Sequence, residues 1–272
     1  MKKVFSYLVM IALALFLMAP FVWMVLVSLQ KSKAPIPTLD HLVPPHPAWS
    51  NYGLVLFGQP NLPVLRFFFN SVIVTFSVVL GQLFVSSLAA YGFARMRFAG
   101  RDLIFYVFLG SLMFAGPVTQ LPVYLLVRSL GWLDTYAALI VPGVSSAFSV
   151  FLLRQSFMAV PAELDEAARI DGAGDFRIYG RIVMPLSGAA LATCAAFNFF
   201  AVWTDFFWPL LSTNSSNMRT LEVGLSVFKT SYGSTNWPLE MTATVVVMAP
   251  LLIAFLFSQR YFTKGIMLGS IK

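Results

Sequence analysis

The residues best suited to chemistry or binding form one polar segment in a chain that is otherwise strongly apolar. Residues 163–175 read Glu-Leu-Asp-Glu-Ala-Ala-Arg-Ile-Asp-Gly-Ala-Gly-Asp, in which carboxylates outnumber the single arginine. Over the whole chain of 272 residues, only 11% are charged and 58% are hydrophobic. Because unpaired polar groups are costly in an apolar environment, this segment predicts a partner that receives its charges.

Other groups with chemical potential are sparse. His41 and His46 are the only histidines and Cys194 is the only cysteine, so neither a metal-ligand set nor an internal disulfide is predicted. The sequence contains no G-x-x-x-x-G-K-[ST] loop, H-E-x-x-H helix or G-x-S-x-G elbow. We therefore expect a chain that is not an enzyme and binds no cofactor itself.

The elements that carry the polar segment are predicted to be membrane spans. Mean hydropathy is +0.80, and six apolar stretches are long enough to cross a bilayer. They cover residues 4–29, 67–94, 103–127, 136–153, 186–211 and 241–258. The first continues well past a small-x-small pattern, so we interpret it as an uncleaved helix and not as a signal peptide. The predicted fold class is all-α, a polytopic bundle of six transmembrane helices.

The distribution of charge predicts the orientation of the chain. Six spans place both termini on one side, and an N-in arrangement puts 12 of the 18 lysines and arginines in the cytoplasm and 6 outside. Cytoplasmic segments carry the excess of these residues, so the N-in/C-in orientation is favoured. The net charge of +7 then reflects orientation and contact with anionic lipid, and no nucleic-acid partner is predicted.

We predict one transmembrane domain over residues 1–272. Its parts are a first helix (1–29), an extracytoplasmic loop (30–65), a core (66–260) that includes a cytoplasmic loop (154–185), and a cytoplasmic tail (259–272). The outer loop is rich in proline, has no sustained periodicity and is predicted to be irregular. Breaks in the spans are either ordinary kinks or parts of a transport pathway, and they are expected at Gly116-Pro117, Pro122, Pro142, Pro209 and Pro250.

The polar segment is predicted to form a helix, a tight turn and a second helix. Pro161 suits the first helical position, and the acids that follow favour the positive end of the helix dipole. Asp165 is spaced to pair with Arg169 one turn later. Residues 171–174 favour a left-handed turn, and Asp175 is predicted to cap a second helix over residues 176–184.

One face of the first helix is predicted to dock on a soluble protein. Two carboxylates flank a small and an apolar residue on this face, at Glu163, Glu166, Ala167 and Ile170. The alternative is an amphipathic helix on the membrane surface. Such a helix would favour Lys and Arg on its polar side, whereas this one begins with acids.

The spacing around this helix resembles the EAA signature of ABC importer permeases, E-A-A-x3-G-x9-I-x-L-P. Glu166-Ala167-Ala168, Gly172, Ile182 and Pro185 fit every spacing, and Met184 replaces the leucine. The resemblance covers nearly the whole chain. Within the family, the chain is similar to the carbohydrate branch of the maltose and glycerol-3-phosphate type. The segments that carry it outside the loop are residues 69–71, 87–98, 120–124 and 203–209.

The resemblance implies the fold of a type I ABC importer transmembrane domain. It also implies one half of a pair of homologous permease subunits in a bacterial or archaeal cytoplasmic membrane. Two ATP-binding subunits would dock on the EAA loop, and those subunits would bind ATP and Mg²⁺. An extracytoplasmic solute-binding protein would deliver a sugar or related solute. The residues implied in ATPase coupling are Glu163, Glu166, Ala167, Ala168, Ile170, Asp171, Gly172, Ile182 and Pro185. The tail over residues 259–272 either anchors at the membrane or reaches towards the ATPase.

The sequence indicates the residues of the substrate pathway less clearly than those of the polar segment. Sugars are usually held by aromatic faces with amides and carboxylates, which makes Asn198, Trp203, Asp205 and Phe206 candidates. Asn198 could instead make a hydrogen bond between helices, and Trp203 and Trp208 could be aromatic-belt anchors. An ion-coupled carrier and a non-transporting scaffold remain alternatives. The near absence of ionisable residues deep in the spans speaks against the carrier, and the EAA spacing speaks against the scaffold.

Overall fold

The regular structure of the described chain is entirely helical. The computed structural model describes residues 2–31, 43–58, 62–228 and 236–268, with no strand in these ranges. A π-helical segment, Tyr179–Val183, joins two of the helices. The α-helices are α1 (Lys2–Ser28), α2 (Ser50–Phe57), α3 (Val64–Arg95), α4 (Arg101–Gly110), α5 (Gly116–Ser129), α6 (Tyr136–Ile140), α7 (Ala147–Ala159), α8 (Ala162–Ile170), α9 (Asp175–Ile178), α10 (Met184–Leu186), α11 (Gly188–Trp203), α12 (Phe207–Ser212), α13 (Leu221–Phe228) and α14 (Trp237–Leu268).

Three of the six predicted spans are single long helices, and three are bent pairs. The long apolar helices are Lys3–Ser28, Val64–Arg95 and Trp237–Gln259. Helix α4 meets α5 at 103°, α6 meets α7 at 40°, and the segment Asp175–Leu186 meets α11 at 78°. The described chain therefore has three apolar helical spans, or six if each bent pair counts as one. Hydropathy finds the apolar stretches but averages over windows, so it does not locate the bends.

Only some of the predicted proline breaks interrupt a helix. Pro117 lies directly after the break between α4 and α5, and Pro142 lies in the short 3-10 turn between α6 and α7. Proline lacks an N–H donor and clashes with the preceding turn, which explains both breaks. Pro122 and Pro250 lie inside the continuous helices α5 and α14, and Pro209 lies inside α12.

The predicted fifth span over residues 186–211 is wrong in its bounds. Helix α11 ends at Trp203, and α12 begins only at Phe207. Between them the Asp205 carboxylate accepts a hydrogen bond from the Trp208 N–H at 3.3 Å. This bond satisfies a main-chain donor at the start of α12, so the chain turns although the sequence remains apolar.

The chain divides into two compact units, of which the first comprises Met1–Phe69 and Arg219–Pro250. The outer loop over residues 30–65 is not wholly irregular, because it contains α2. Buried Asn51 of α2 donates to the carbonyl oxygens of Ser28 (2.8 Å) and Gln30 (2.7 Å), just past α1. Thr242 of α14 donates to the same Ser28 oxygen at 3.1 Å. With eight residues, α2 is too short to show a periodic pattern and is held by these contacts.

The second unit, Asn70–Met218 with Leu251–Lys272, contains the polar segment. Its buried apolar cluster joins α3, α7, the π-helical region and α11. Ala168 and Ala173 of the polar segment pack against this cluster. Cys194 is buried within it. The polar segment is thus seated on the core of its unit. The cluster comprises Ala90, Tyr91, Leu153, Phe157, Ile178, Val183 and Cys194.

The last helix extends beyond the predicted final span. Helix α14 runs to Leu268, ten residues past the predicted end at residue 258. The predicted tail over residues 259–272 is therefore helical as far as Leu268. Residues 269–272 lie outside the described part of the chain.

Candidate functional site

The short helix α8 ends in a tight left-handed turn, as the sequence predicts. Gly172 has φ +77°, a conformation that suits a residue without a side chain. The Gly172 N–H donates to the Arg169 carbonyl (3.0 Å) and the Ala173 N–H donates to the Ala168 carbonyl (2.9 Å). This pair of bonds is a Schellman motif, which satisfies the last carbonyl groups of the helix. Pro161, predicted to be the first helical residue, is instead the N-cap residue, so α8 begins one position later at Ala162.

The predicted docking face of α8 is exposed to solvent. Ile170 is 87% exposed, and Phe176 beyond the turn is 84% exposed. The carboxylates of Glu163 and Glu166 make no ion pair within the described residues. An exposed apolar residue beside unpaired carboxylates is a surface that can accept a basic partner with an apolar contact. The predicted coupling residues on this exposed surface are Glu163, Glu166, Ala167, Ile170, Asp171 and Gly172.

The opposite side of α8 is fixed by an ion pair that the sequence did not predict. Asp165 is buried, and its carboxylate lies 3.4 Å from the Arg95 guanidinium at the end of α3. The predicted pair of Asp165 with Arg169 is wrong, because Arg169 instead pairs with Asp175 at 2.9 Å. Helical spacing identifies partners within α8 only, whereas the fold brings Arg95 from 70 positions away. A buried acid needs such a partner.

The second helix of the polar segment begins earlier and continues further than predicted. It runs from Asp175 through the π-helical segment to Leu186. The expectation that Asp175 caps this helix is wrong, since Gly174 is the N-cap residue and makes no side-chain cap. The Asp175 carboxylate accepts from Arg169 and so closes the turn between the two helices.

Tyr179 joins this second helix to α3. Its hydroxyl forms a hydrogen bond of 2.7 Å with the Ser87 hydroxyl, and its ring packs edge-on against Tyr91 with centroids 5.4 Å apart. Ile182 is partly buried and Pro185 is exposed on the same helix. Ile182 and Pro185 therefore lie apart from the exposed face of α8, in the helix that follows the turn.

A polar cavity of about 620 Å³ opens between α8 and the end of α3. Glu166 lies on its wall, so an incoming side chain has room beside this carboxylate. Of the other charged residues in the lining, Arg95 and Asp165 pair with each other and have nearly buried side chains, so they are not open to an incoming group. The more exposed ones are Arg97, Arg101, Arg169 and Asp175. Both signs of charge are present, which suits a protein surface with its own charge pattern.

The four candidate pathway residues do not form one cluster of exposed groups. Asn198 is buried, and its side chain exchanges hydrogen bonds with the Ser149 hydroxyl at 3.0 and 3.1 Å. Trp203 is buried and stacks on Phe199, with ring centroids 5.7 Å apart. Asp205 is partly buried in the turn after α11, and Phe206 is 37% exposed. These contacts favour the alternative in which Asn198 holds two helices together.

The interpretation of two tryptophans as aromatic-belt anchors is wrong. Trp203 and Trp208 are 3% and 7% exposed. The Trp208 indole N–H donates to the Ala138 carbonyl at 2.9 Å, so it ties α12 to α6. Both indoles are packing elements within the bundle, and the Trp208 donor finds its partner inside the protein.

Loss of either partner of the Ser149–Asn198 pair is expected to weaken the bundle equally. Ser149→Ala, Asn198→Ala and the double variant should each lose about 0.6–2 kcal/mol of stability, the range of such bonds between membrane helices. Thermal unfolding in detergent measures this, with Thr193→Val as a control that loses only a bond to its own helix. A change of substrate affinity in Asn198→Ala alone, at unchanged stability, would favour a pathway role instead.

Metal ligation has no support in the described ranges. Within residues 2–31, 43–58, 62–228 and 236–268, no group of three or more His, Cys, Asp or Glu side chains is placed to hold an ion. His41 lies outside these ranges.

Comparison with known proteins identifies the family. Residues 1–267 match the family model described as "Binding-protein-dependent transport system inner membrane component". The chain belongs to this family. It is therefore an inner-membrane component of a transport system and not an enzyme, and the predicted resemblance to importer permeases is confirmed.

Sequence relatives agree with this family. The permease is 35% identical over 253 residues to the sn-glycerol-3-phosphate transport system permease protein UgpE of Brucella abortus, covering 90% of this chain and 88% of the relative. It is 32% identical over 271 residues to the probable ABC transporter permease protein YurM of Bacillus subtilis, covering 99% and 87%. The arabinooligosaccharides transport system permease protein AraQ of Halalkalibacterium halodurans is 36% identical over 205 residues, covering 75% and 73%. These relatives are bacterial, and none supports the archaeal alternative.

Solved structures share the fold. A chain of a bacterial ABC transporter involved in the import of the acidic polysaccharide alginate matches with a TM-score of 0.81 at 23% identity, over 96% of both chains. A second structure, of a bacterial alginate ABC transporter in complex with its alginate pentasaccharide-bound periplasmic protein, matches with a TM-score of 0.64 at 13% identity, over 94% of this chain and 92% of that one. The predicted fold class, an ABC importer transmembrane domain, is confirmed. The N-in/C-in orientation stays a prediction.

Proposed function

We propose that the permease forms half of the translocation pathway of an ABC importer and couples it to ATP hydrolysis through α8. The observation that carries the proposal is the exposed face of α8, whose opposite side packs on the apolar core of its unit. A second, homologous permease forms the other half of the pathway. ATP and Mg²⁺ are bound by separate ATPase subunits on the cytoplasmic side, and this chain binds no cofactor.

The α8 helix is the docking element for the ATPase. Its unpaired carboxylates and its exposed Ile170 offer charge and apolar area on one face, and the cavity beside Glu166 admits a side chain. A basic group of the ATPase pairs with Glu166. Charge-assisted hydrogen bonds of this kind contribute more than neutral ones, and truncating one partner of such a pair weakens a complex strongly.

A solute-binding protein delivers the substrate on the outer side. Support comes from the family description, which names binding-protein-dependent transport. One structural neighbour is itself a complex of a transporter with a periplasmic protein. In the proposed N-in orientation, the outer loop containing α2 lies on the side where such a protein would dock.

The substrate is proposed to be a sugar or a related polyol phosphate. Relatives of 35% and 36% identity are named for sn-glycerol-3-phosphate and for arabinooligosaccharides. Thermal-shift screening of the partner binding protein with sugars and polyol phosphates identifies the ligand. Stabilisation by an amino acid or a metal ion alone would contradict the carbohydrate class.

Charge reversal at Glu166 tests the docking role directly. In a complex purified through a tag on this permease, Glu166→Lys is expected to reduce the retained ATPase at least roughly tenfold, since a lost charged hydrogen bond costs about 1.5–3 kcal/mol. Glu166→Gln should have a smaller effect because it introduces no repulsion. ATPase retention and ATP-driven uptake in proteoliposomes are the measurements.

Asn214→Lys provides the control for added positive charge. Asn214 is exposed in the loop after α12, far along the chain from α8. This variant should retain the ATPase at the wild-type level. A fully coupled complex in Glu166→Lys would show that α8 is not the docking element.

A further inference from the structure

Arg95, the last residue of α3, joins three elements of the second unit. Its Nη2 donates to the carbonyl oxygens of Phe157 (2.7 Å) and Val160 (2.5 Å), at the C-terminal end of α7. Its Nη1 lies 3.4 Å from Oδ2 of Asp165 in α8. One guanidinium thus connects the ends of α3 and α7 to the proposed docking helix.

The pair of Arg95 and Asp165 is shielded from solvent. The two side chains are only 9% and 10% exposed, so salt and water screen their attraction little. Removing one charge would leave the other buried and uncompensated.

The same guanidinium contacts one residue just before α8 and one in its first turn. The Val160 carbonyl lies immediately before the N-cap residue Pro161, and Asp165 lies in the first turn of the helix. A helix of nine residues has little stability of its own, so its orientation depends on such contacts. Arg95 therefore determines where α8 points relative to α3 and α7.

We propose that Arg95 and Asp165 are positioning residues for energy coupling, which make α8 move together with the ends of α3 and α7. The inference rests on the proposed function. The side chains of both residues are nearly buried, whereas Glu166 and Ile170 remain exposed for docking. Without the pair, the ATPase still binds, but α8 shifts under load without moving the spans. ATP is then hydrolysed with little transport.

Arg154 of α7 is a matched control within the same unit. Its side chain is 12% exposed, and its guanidinium pairs with Asp102 at 3.2 Å and donates to the Phe93 carbonyl at 3.2 Å. The guanidinium also lies 4.0 Å from the centre of the Phe105 ring. None of these contacts involves α8. Arg154→Gln therefore removes a comparably buried guanidinium without releasing the docking helix.

The test compares substrate transported per ATP hydrolysed in proteoliposomes of the complete transporter. Arg95→Gln and Asp165→Asn should retain the ATPase, while the transport ratio falls at least about fivefold, the lower end of typical coupling between sites. The double variant should be no worse than the more impaired single variant, because both act through one contact. Arg95→Lys should be intermediate, since an ammonium keeps the charge but not the planar fork.

The outcomes separate this proposal from the proposed function. A wild-type ratio in Arg95→Gln and Asp165→Asn, or an equal fall in Arg154→Gln, overturns the positioning role. Asp165→Asn is nearly isosteric and carries the test if Arg95→Gln does not fold. If both variants at the pair are lost from the membrane while Arg154→Gln is not, their role is structural and the proposal fails. A wild-type complex without any ATPase would instead refute the proposed function.

Discussion

Replacing Gly172 with valine is expected to impair coupled transport severely. At φ +77°, a β-branched side chain meets its own backbone, and a residue forced into this region costs on the order of 1–3 kcal/mol. The turn would relax by giving up the Schellman bonds to Ala168 and Arg169, and the last turn of α8 would lose its direction. ATPase retention and uptake in proteoliposomes should both fall on the order of tenfold, since each 1.4 kcal/mol is a factor of ten.

Gly174→Val is the matched control for this substitution. Gly174 lies two residues further on, at φ −78° and ψ 166°, where valine is allowed, and no atom lies within 4 Å of the added Cβ. It should lose only the preference of the N-cap position for glycine over valine, on the order of 1 kcal/mol, and keep the left-handed turn at Gly172. Gly172→Asn should keep more activity than valine because asparagine tolerates the left-handed region. Equal activity of the two valine variants would contradict the role assigned to the turn.

Gly224→Ala is expected to be the most damaging single methyl addition in the first unit. The new Cβ would lie 2.1 Å from Cδ2 and 2.7 Å from Cε2 of Phe67, whose ring is fully buried. Overpacking of this kind typically costs about 1–3 kcal/mol. Alanine also favours the helix α13 by about 0.5–1 kcal/mol, which is too little to offset the clash. Thermal unfolding in detergent should show a melting temperature several degrees lower and a reduced yield.

Gly53→Ala and Phe67→Leu test the cause of that loss. Gly53 lies in α2, a helix of the same length as α13, with nothing within 4 Å of an added Cβ, so alanine there should be neutral or stabilising. In the Gly224→Ala background, Phe67→Leu should restore part of the stability because a smaller side chain leaves room. An unchanged melting temperature in Gly224→Ala, or no rescue by leucine, would contradict the steric explanation.

The sequence predicts helix α8 because the signals for this helix are local. Capping, dipole preference and a glycine turn act within a few residues, so α8 and its exposed face follow from residues 161–174 alone. The same reasoning paired Asp165 with Arg169, the nearest base on the helix. The true partner, Arg95, comes from another helix, and no pattern within α8 points to it.

The short helix α2 and the turn after Trp203 show a second limit. Eight residues carry no readable periodicity, and α2 is held by Asn51 against carbonyl groups at and just after the end of α1. The turn after Trp203 lies in an apolar run, so hydropathy extends the span through it. In both cases the backbone follows hydrogen bonds, long-range ones at α2 and a local one from Trp208 to Asp205 in the turn, and not the apolar pattern.

By itself, the sequence determined that the chain is a helical membrane protein with one exposed, acid-led helix of the EAA type. Composition indicates that the helices lie in a lipid bilayer, and spacing of three to four residues indicates which side chains share a helical face. Only the tertiary structure decided what holds that helix in place. A charge removed from water is stabilised by the opposite charge that the fold brings closest to it. The partner of buried Asp165 is therefore decided by distance in space and not by spacing along the chain.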